Sequence, residues 1–170
     1  MKKAIGMVLA LTLLLGLCAC GKGQKELAAS DLSMTVNGRE ITAESSISDA
    51  LSAFDGAYDV AEAVSCVYSG MERTYSNDDF ILYTYPGDDG QEHLMEAYAA
   101  ANVKTARGVT IGSSLKDVEA AYGSNYTRAG SVVTFEIPND NEQMVPAGIY
   151  FELEDDIVTA IGIVAEHRAQ

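Results

Sequence analysis

One short phrase occurs twice in this chain, and it limits the fold more than anything else in the sequence. Ser45-Ser46-Ile47-Ser48-Asp49-Ala50-Leu51 and Ser113-Ser114-Leu115-Lys116-Asp117-Val118-Glu119 align at a constant offset of 68 positions, and the likeness continues through Phe54 and Tyr122 to Tyr58 and Tyr126. In each copy a serine, Ser46 or Ser114, stands where it can cap a helix N-terminus. Asp49 or Asp117, three residues on, can reach back to the cap. Apolar residues then recur at helical spacing, as Ile47, Leu51 and Phe54 in the first copy and Leu115, Val118 and Tyr122 in the second. Gly56 and Gly123 are placed to end the two helices. Helices this short cannot bury an apolar stripe against each other alone, so each requires a sheet to lie on.

Strand patterns follow both copies. After the second, Ser131 to Ile137 ends at Pro138, and Ile149 to Leu153 alternates apolar and polar residues. Asp155-Asp156 then predicts a tight turn into Ile157 to Val164, whose apolar character on both faces suits a covered central strand. After the first copy, Cys66 to Ser76 and Phe80 to Tyr85 read as strands, and Pro86-Gly87-Asp88-Asp89-Gly90 as a turn. Residues 92 to 101 have high helix propensity, but their position corresponds to the last strand of the second copy, which favours a strand. Met34 to Val36 and Arg39 to Ile41 flank Asn37-Gly38, a hairpin signature. The expectation is an α+β domain over residues 34–170, in which two tandem helix-plus-antiparallel-sheet units, about 34–103 and 104–166, form one compact body.

Met1-Lys2-Lys3, the apolar run from Ala4 to Leu17 and a small-residue end have the three zones of a secretory signal. The run closes in Leu17-Cys18-Ala19-Cys20, which resembles the bacterial lipobox. That resemblance implies removal of residues 1–19, a diacylglyceryl thioether on Cys20 as the lipidation site, and a chain anchored on the outer side of the cell membrane. Two acyl chains hold a protein stably where one holds it marginally. Residues 20–33 would then be the lipidated cysteine and a short polar tether. Gly16 to Lys22 spells Gly-x-x-x-x-Gly-Lys, but Gly23 stands where a phosphate-binding loop needs Ser or Thr. The match is a coincidence.

The second copy is introduced by Thr105-Ala106-Arg107-Gly108-Val109-Thr110-Ile111-Gly112-Ser113-Ser114 and followed by Asp117 and Tyr122-Gly123. This phrase resembles a recurrent element of uncharacterised lipoproteins of Gram-positive bacteria. More distantly it is similar to the helix-entry segment of the BamE (SmpA/OmlA) and β-lactamase-inhibitor-protein-like folds. Those families place small helix-plus-sheet units singly or in tandem and bind proteins through sheet faces and loops. The resemblance supports a scaffold and transfers no interface residue.

Lys and Arg number 11 against 25 Asp and Glu, for a formal charge of −14, and removal of residues 1–19 takes Lys2 and Lys3 and makes it −16. Nucleic acid is therefore excluded as a partner, because its binding depends on basic groups displacing counterions. Cys66 is the one thiol left once Cys18 is removed and Cys20 acylated. It reads as a buried strand residue, since neither His93 nor His167 falls in a local nucleophile signature. No His-x-x-x-His or Cys-x-x-Cys spacing suggests zinc, and the acidic turns lack calcium-loop spacing. No metal and no cofactor is expected.

Nine Tyr accompany four Phe. Tyr68, Tyr83 and Tyr85 fall on or near first-copy strands and are the candidate binding residues, because tyrosine is rigid, amphipathic and frequent at interface hot spots. The expectation is a non-catalytic envelope module that binds or scaffolds another protein. One alternative is an inhibitor-like or sensor protein using a Tyr-rich sheet face, and a second is a small Cys- or carboxylate-dependent enzyme.

Overall fold

The computed structural model describes residues 26–169. The signal, the lipobox, Cys20 and the first part of the tether lie outside the described residues.

A 3-10 turn at Ala29–Asp31 leads into a hairpin of β1 (Ser33–Val36) and β2 (Arg39–Thr42). Its turn is Asn37-Gly38, both with positive φ, as a two-residue type I′ connection requires. Helix α1 (Ile47–Leu51) follows, then four strands, β3 (Asp59–Val64), β4 (Met71–Ser76), β5 (Phe80–Pro86) and β6 (Glu92–Ala99). Next come β7 (Val103–Thr105), α2 (Leu115–Tyr122), β8 (Thr127–Ala129), β9 (Val132–Glu136), β10 (Met144–Val145), β11 (Gly148–Glu154), β12 (Ile157–Val164) and β13 (His167–Arg168).

The repeated phrase does build the same local structure twice. Ser46 accepts the Asp49 backbone N–H at 3.1 Å, and Ser114 accepts that of Asp117 at 3.3 Å. Just upstream, Ser45 accepts the Thr42 N–H at 2.9 Å and Ser113 that of Thr110 at 3.1 Å. Beyond the helix entries the expectation of an α+β domain made of two tandem helix-plus-sheet units is wrong. The protein is mostly β, with two short helices among the described residues. The strands do not separate into two small sheets: they join in one antiparallel eight-stranded sheet of order β3-β4-β5-β6-β12-β11-β9-β8. The physical reason lies in β12. Ala160, Ile161, Gly162 and Ile163 are all buried, so β12 must be flanked on both edges, and it pairs with β11 on one side and β6 on the other. That central ladder, from Ala99↔Ile161 to Glu96↔Val164, leaves no boundary between halves. Gly56 is also not a helix end, because α1 stops at Leu51 with Ser52 as its cap.

Ladder alternation gives the large sheet two unlike faces. Phe80, Leu82, Ala97, Ile149, Phe151, Val133, Phe135, Ile161 and Ile163 point inward and are buried. The helices lie on this inner face, with Tyr122 packing 5.4 Å from both Phe135 and Phe151 and Phe54 packing 4.8 Å from Phe80. A small sheet of order β2-β1-β7 contributes Met34, Val36, Ile41 and Val103 to the same core. The outer face carries no helix among the described residues, and at its β5–β6 end the two-stranded sheet of β10 and β13 packs beside it, His167 against Tyr85.

Candidate functional site: an open tyrosine and glutamate sheet face

The middle of the outer face is built around a missing side chain. Gly162 on β12 pairs with Tyr150 on β11 and with Tyr98 on β6. A Cβ at Gly162 would stand 2.2 Å from the Tyr150 ring, so glycine lets that ring lie across β12. The Tyr150 hydroxyl then reaches over β12 and donates a short hydrogen bond to Glu96 on β6. In the opposite sense, Tyr98 on β6 donates to Glu152 on β11 at 3.3 Å. The two pairs cross the same strand in opposite directions, each linking residues 54 apart.

The electrostatics keep both rings protonated. Burial pushes the Tyr150 hydroxyl far above its ordinary range, and the Glu96 carboxylate that accepts from it pushes it further. Burial also raises Tyr98, with Glu152 adding to the effect. Both hydroxyls are therefore fixed donors at neutral pH, and the rings are held in place before any partner arrives. Such preorganisation lowers the entropy cost of binding. Tyr83 stands directly opposite Glu96 in the β5–β6 ladder and completes a half-buried group of Tyr83, Tyr98 and Tyr150.

Following the registers across the sheet, the outer face also carries Asp59, Glu72 and Glu136. No Lys or Arg occupies an outer position of the eight strands. The arrangement offers rigid aromatic surface surrounded by carboxylates, which suits a cationic surface with exposed stems or guanidinium planes.

Of the three tyrosines singled out from sequence, the structure puts only Tyr83 beside the Tyr98–Tyr150 group; Tyr85 shares its strand parity but lies at the far end of β5. Tyr68 and Tyr85 stack on one another 4.5 Å apart at one end of the sheet. There Tyr85 is also stacked 5.5 Å from His93 and lies 6.2 Å from His167. The Arg168 backbone N–H donates to the Tyr68 hydroxyl at 2.7 Å, and its guanidinium covers the Tyr68 ring and pairs with Asp88. His93 bonds Asp89 at 2.9 Å, which holds the Asp89 carboxyl below its ordinary range. Tyr68 and Tyr85 thus tie the β5–β6 turn to the C-terminal β13. Beside them a cleft of about 830 Å³ runs between the small sheet and the large one, lined among others by Leu32, Ala43, Tyr85, His93 and Ile137.

Sequence reading missed Tyr98 and Tyr150. Their only local signal is alternation within β6 and β11, and what joins them is Gly162, 64 and 12 residues away. Cys66 also differs from expectation, since it is exposed rather than buried. It lies in the bend after β3, where the chain has left the ladder. Among the described residues, no group of three or more His, Cys, Asp or Glu is placed to hold a metal ion.

No family model, curated protein or solved structure matches this chain. The functional reading rests on the face itself.

Proposed function

We propose that this protein is a bacterial envelope lipoprotein, anchored through acylated Cys20, that works without catalysis by binding a partner protein on the outer face of its large sheet. One observation carries the binding reading. Tyr98 and Tyr150 are held by Glu152 and Glu96, with Tyr83 opposite Glu96 beside them, on a stretch of the outer face that bears no helix among the described residues. Tyrosines presented this way give large contact area at low entropy cost. The surrounding carboxylates select a basic partner surface and repel an acidic one. The anchor reading rests on the charged start, apolar run and lipobox at residues 1–20.

The two parts are tested separately. Replacing Tyr83 and Tyr98 together by Ala leaves the inner core intact and is expected to weaken partner capture by at least about tenfold, the usual scale for paired aromatic hot spots. Undiminished capture by a folded double variant would remove the face from the account. Cys20→Ser is expected to release the protein from the membrane or to leave an unprocessed precursor. Processing and membrane retention that survive this change would defeat the anchor reading alone.

A further inference from the structure

The two edges of the large sheet are unlike. β8 is three residues long and carries Arg128, which pairs with Asp156 at 3.2 Å. A short charged edge of this kind resists the addition of another strand. β3 has six residues, every one exposed, reads Asp-Val-Ala-Glu-Ala-Val, and runs along β4 without a register shift. It has no Lys, Pro or bulge to protect it.

Exposed apolar surface gathers at this edge. Among the described residues five large apolar side chains are exposed, and four of them, Tyr58, Val60, Val64 and Met71, lie on β3 or beside it. Val64 is 75% exposed and Val60 52%. The backbone is also open. The Ser65 N–H donates to the Gly70 carbonyl at 3.0 Å, so Ser65 turns its peptide groups toward β4. Peptide direction alternates along an antiparallel strand. Ala63, Ala61 and Asp59 therefore bond β4, while Val60, Glu62 and Val64 direct their N–H and C=O groups away from the sheet.

We infer that β3 takes up an extended segment of a partner as an additional strand, and that this segment alternates apolar and basic residues. Its apolar side chains lie beside Val60 and Val64, and its basic side chains lie on the other face beside Asp59 and the adjacent Glu72. Glu62 is already matched by Arg73 at 2.7 Å and makes no demand on the newcomer. A second copy of this chain is a poorer occupant. Antiparallel self-pairing that sets Val60 against Val64 also sets Glu62 against Glu62, and each copy carries a formal charge of −14. The edge is a different surface from the tyrosine face and stands whether or not that face binds.

The test uses the protein purified from residue 20 onward, with a capped ten-residue peptide alternating Val and Lys, labelled for fluorescence anisotropy. Binding is expected to slow hydrogen exchange at the Val60, Glu62 and Val64 amides at least about tenfold, and to leave Ala61 and Ala63 little changed. The same peptide with Glu in place of Lys should bind at least about tenfold more weakly. Val60→Pro removes an edge N–H and no ladder bond, and should lower affinity at least about tenfold, while Val60→Thr stays within about threefold of the parent. Should Val60→Pro unfold, the peptide N-methylated at every second amide replaces it, and it should not bind the unaltered protein. The inference is overturned by absence of binding at millimolar peptide, by binding that leaves the three amides exchanging freely, or by equal affinity for the Glu peptide. A concentration-dependent dimer that Val60→Pro dissolves would overturn it too, by making a second copy the occupant.

Discussion

At the scale of single residues, two buried groups carry clear expectations. Tyr122 is 2% exposed, and its hydroxyl lies near Thr105 and the Arg107 backbone without completing a hydrogen bond to either. A buried hydroxyl left without a partner costs stability. Tyr122→Phe keeps the ring contacts with Phe135 and Phe151 and should leave the unfolding free energy unchanged or raise it by up to about 1 kcal/mol in a denaturant titration. Arg107 stacks over the same ring at 5.0 Å and donates to Asp31 at 2.6 and 2.8 Å. Those bonds hold the Asp31 carboxyl below its ordinary value, outweighing the opposing effect of burial. The stability gained from a depressed carboxyl is present above the unfolded value, about 3.9, and disappears as pH falls through the folded one. Arg107→Gln should therefore lower stability by about 1–3 kcal/mol at pH 7 and flatten the loss of Tm below about pH 4. A variant with an unchanged acid slope would mean that this pair contributes nothing to acid stability.

At the scale of elements, the helix entries were readable because capping is local chemistry. Ser114 and Asp117 sit three residues apart and form a complete capping box, in which the Ser114 N–H also donates to Asp117 at 2.8 Å. Ser114→Ala should cost about 1 kcal/mol, measured by urea titration, and less at the five-residue α1 if Ser46 is changed instead. The hairpin turn and β12 were legible for the same reason, through Asn37-Gly38 and an apolar stretch interrupted by Thr159. Residues 92–99 formed a strand against their helix propensity, because Ala97 fills the inner face between Leu82 and Ile163 and Ala99 fills it between Phe80 and Ile161. What sequence did not reveal was β3. Its Asp, Glu and two Ala give little strand signal, and only pairing with β4 places it. Gly162 was equally silent, since an isolated glycine in a strand does not say which ring it admits. Gly162→Ala should drive the Tyr150 ring off β12, break its bond to Glu96 and change the near-ultraviolet circular dichroism of the tyrosines. An unaltered spectrum with an intact fold would mean that the glycine does not set the face.

For the molecule as a whole, the duplicated helix entry led to a wrong architecture because local repetition does not determine how strands assemble. The sheet closes across both halves through β6 and β12, and this produces the broad outer face on which β6 and β11 exchange their Tyr–Glu bonds. Two separate small sheets would have placed Tyr98 and Tyr150 on different bodies. The acidic balance acquires a direction here as well: its sheet carboxylates gather round the tyrosines, so the charge favours one class of partner. The most direct test is photo-crosslinking in the cell that makes the protein, with a photoreactive residue placed at Tyr83 or, for comparison, at exposed Lys116 on α2. The account predicts a discrete adduct from position 83, attached to a Lys- or Arg-rich partner surface and lost when Tyr98 is also changed to Ala, with no such adduct from position 116. Equal adducts from both positions, or none from position 83 while position 116 captures a partner, would contradict it.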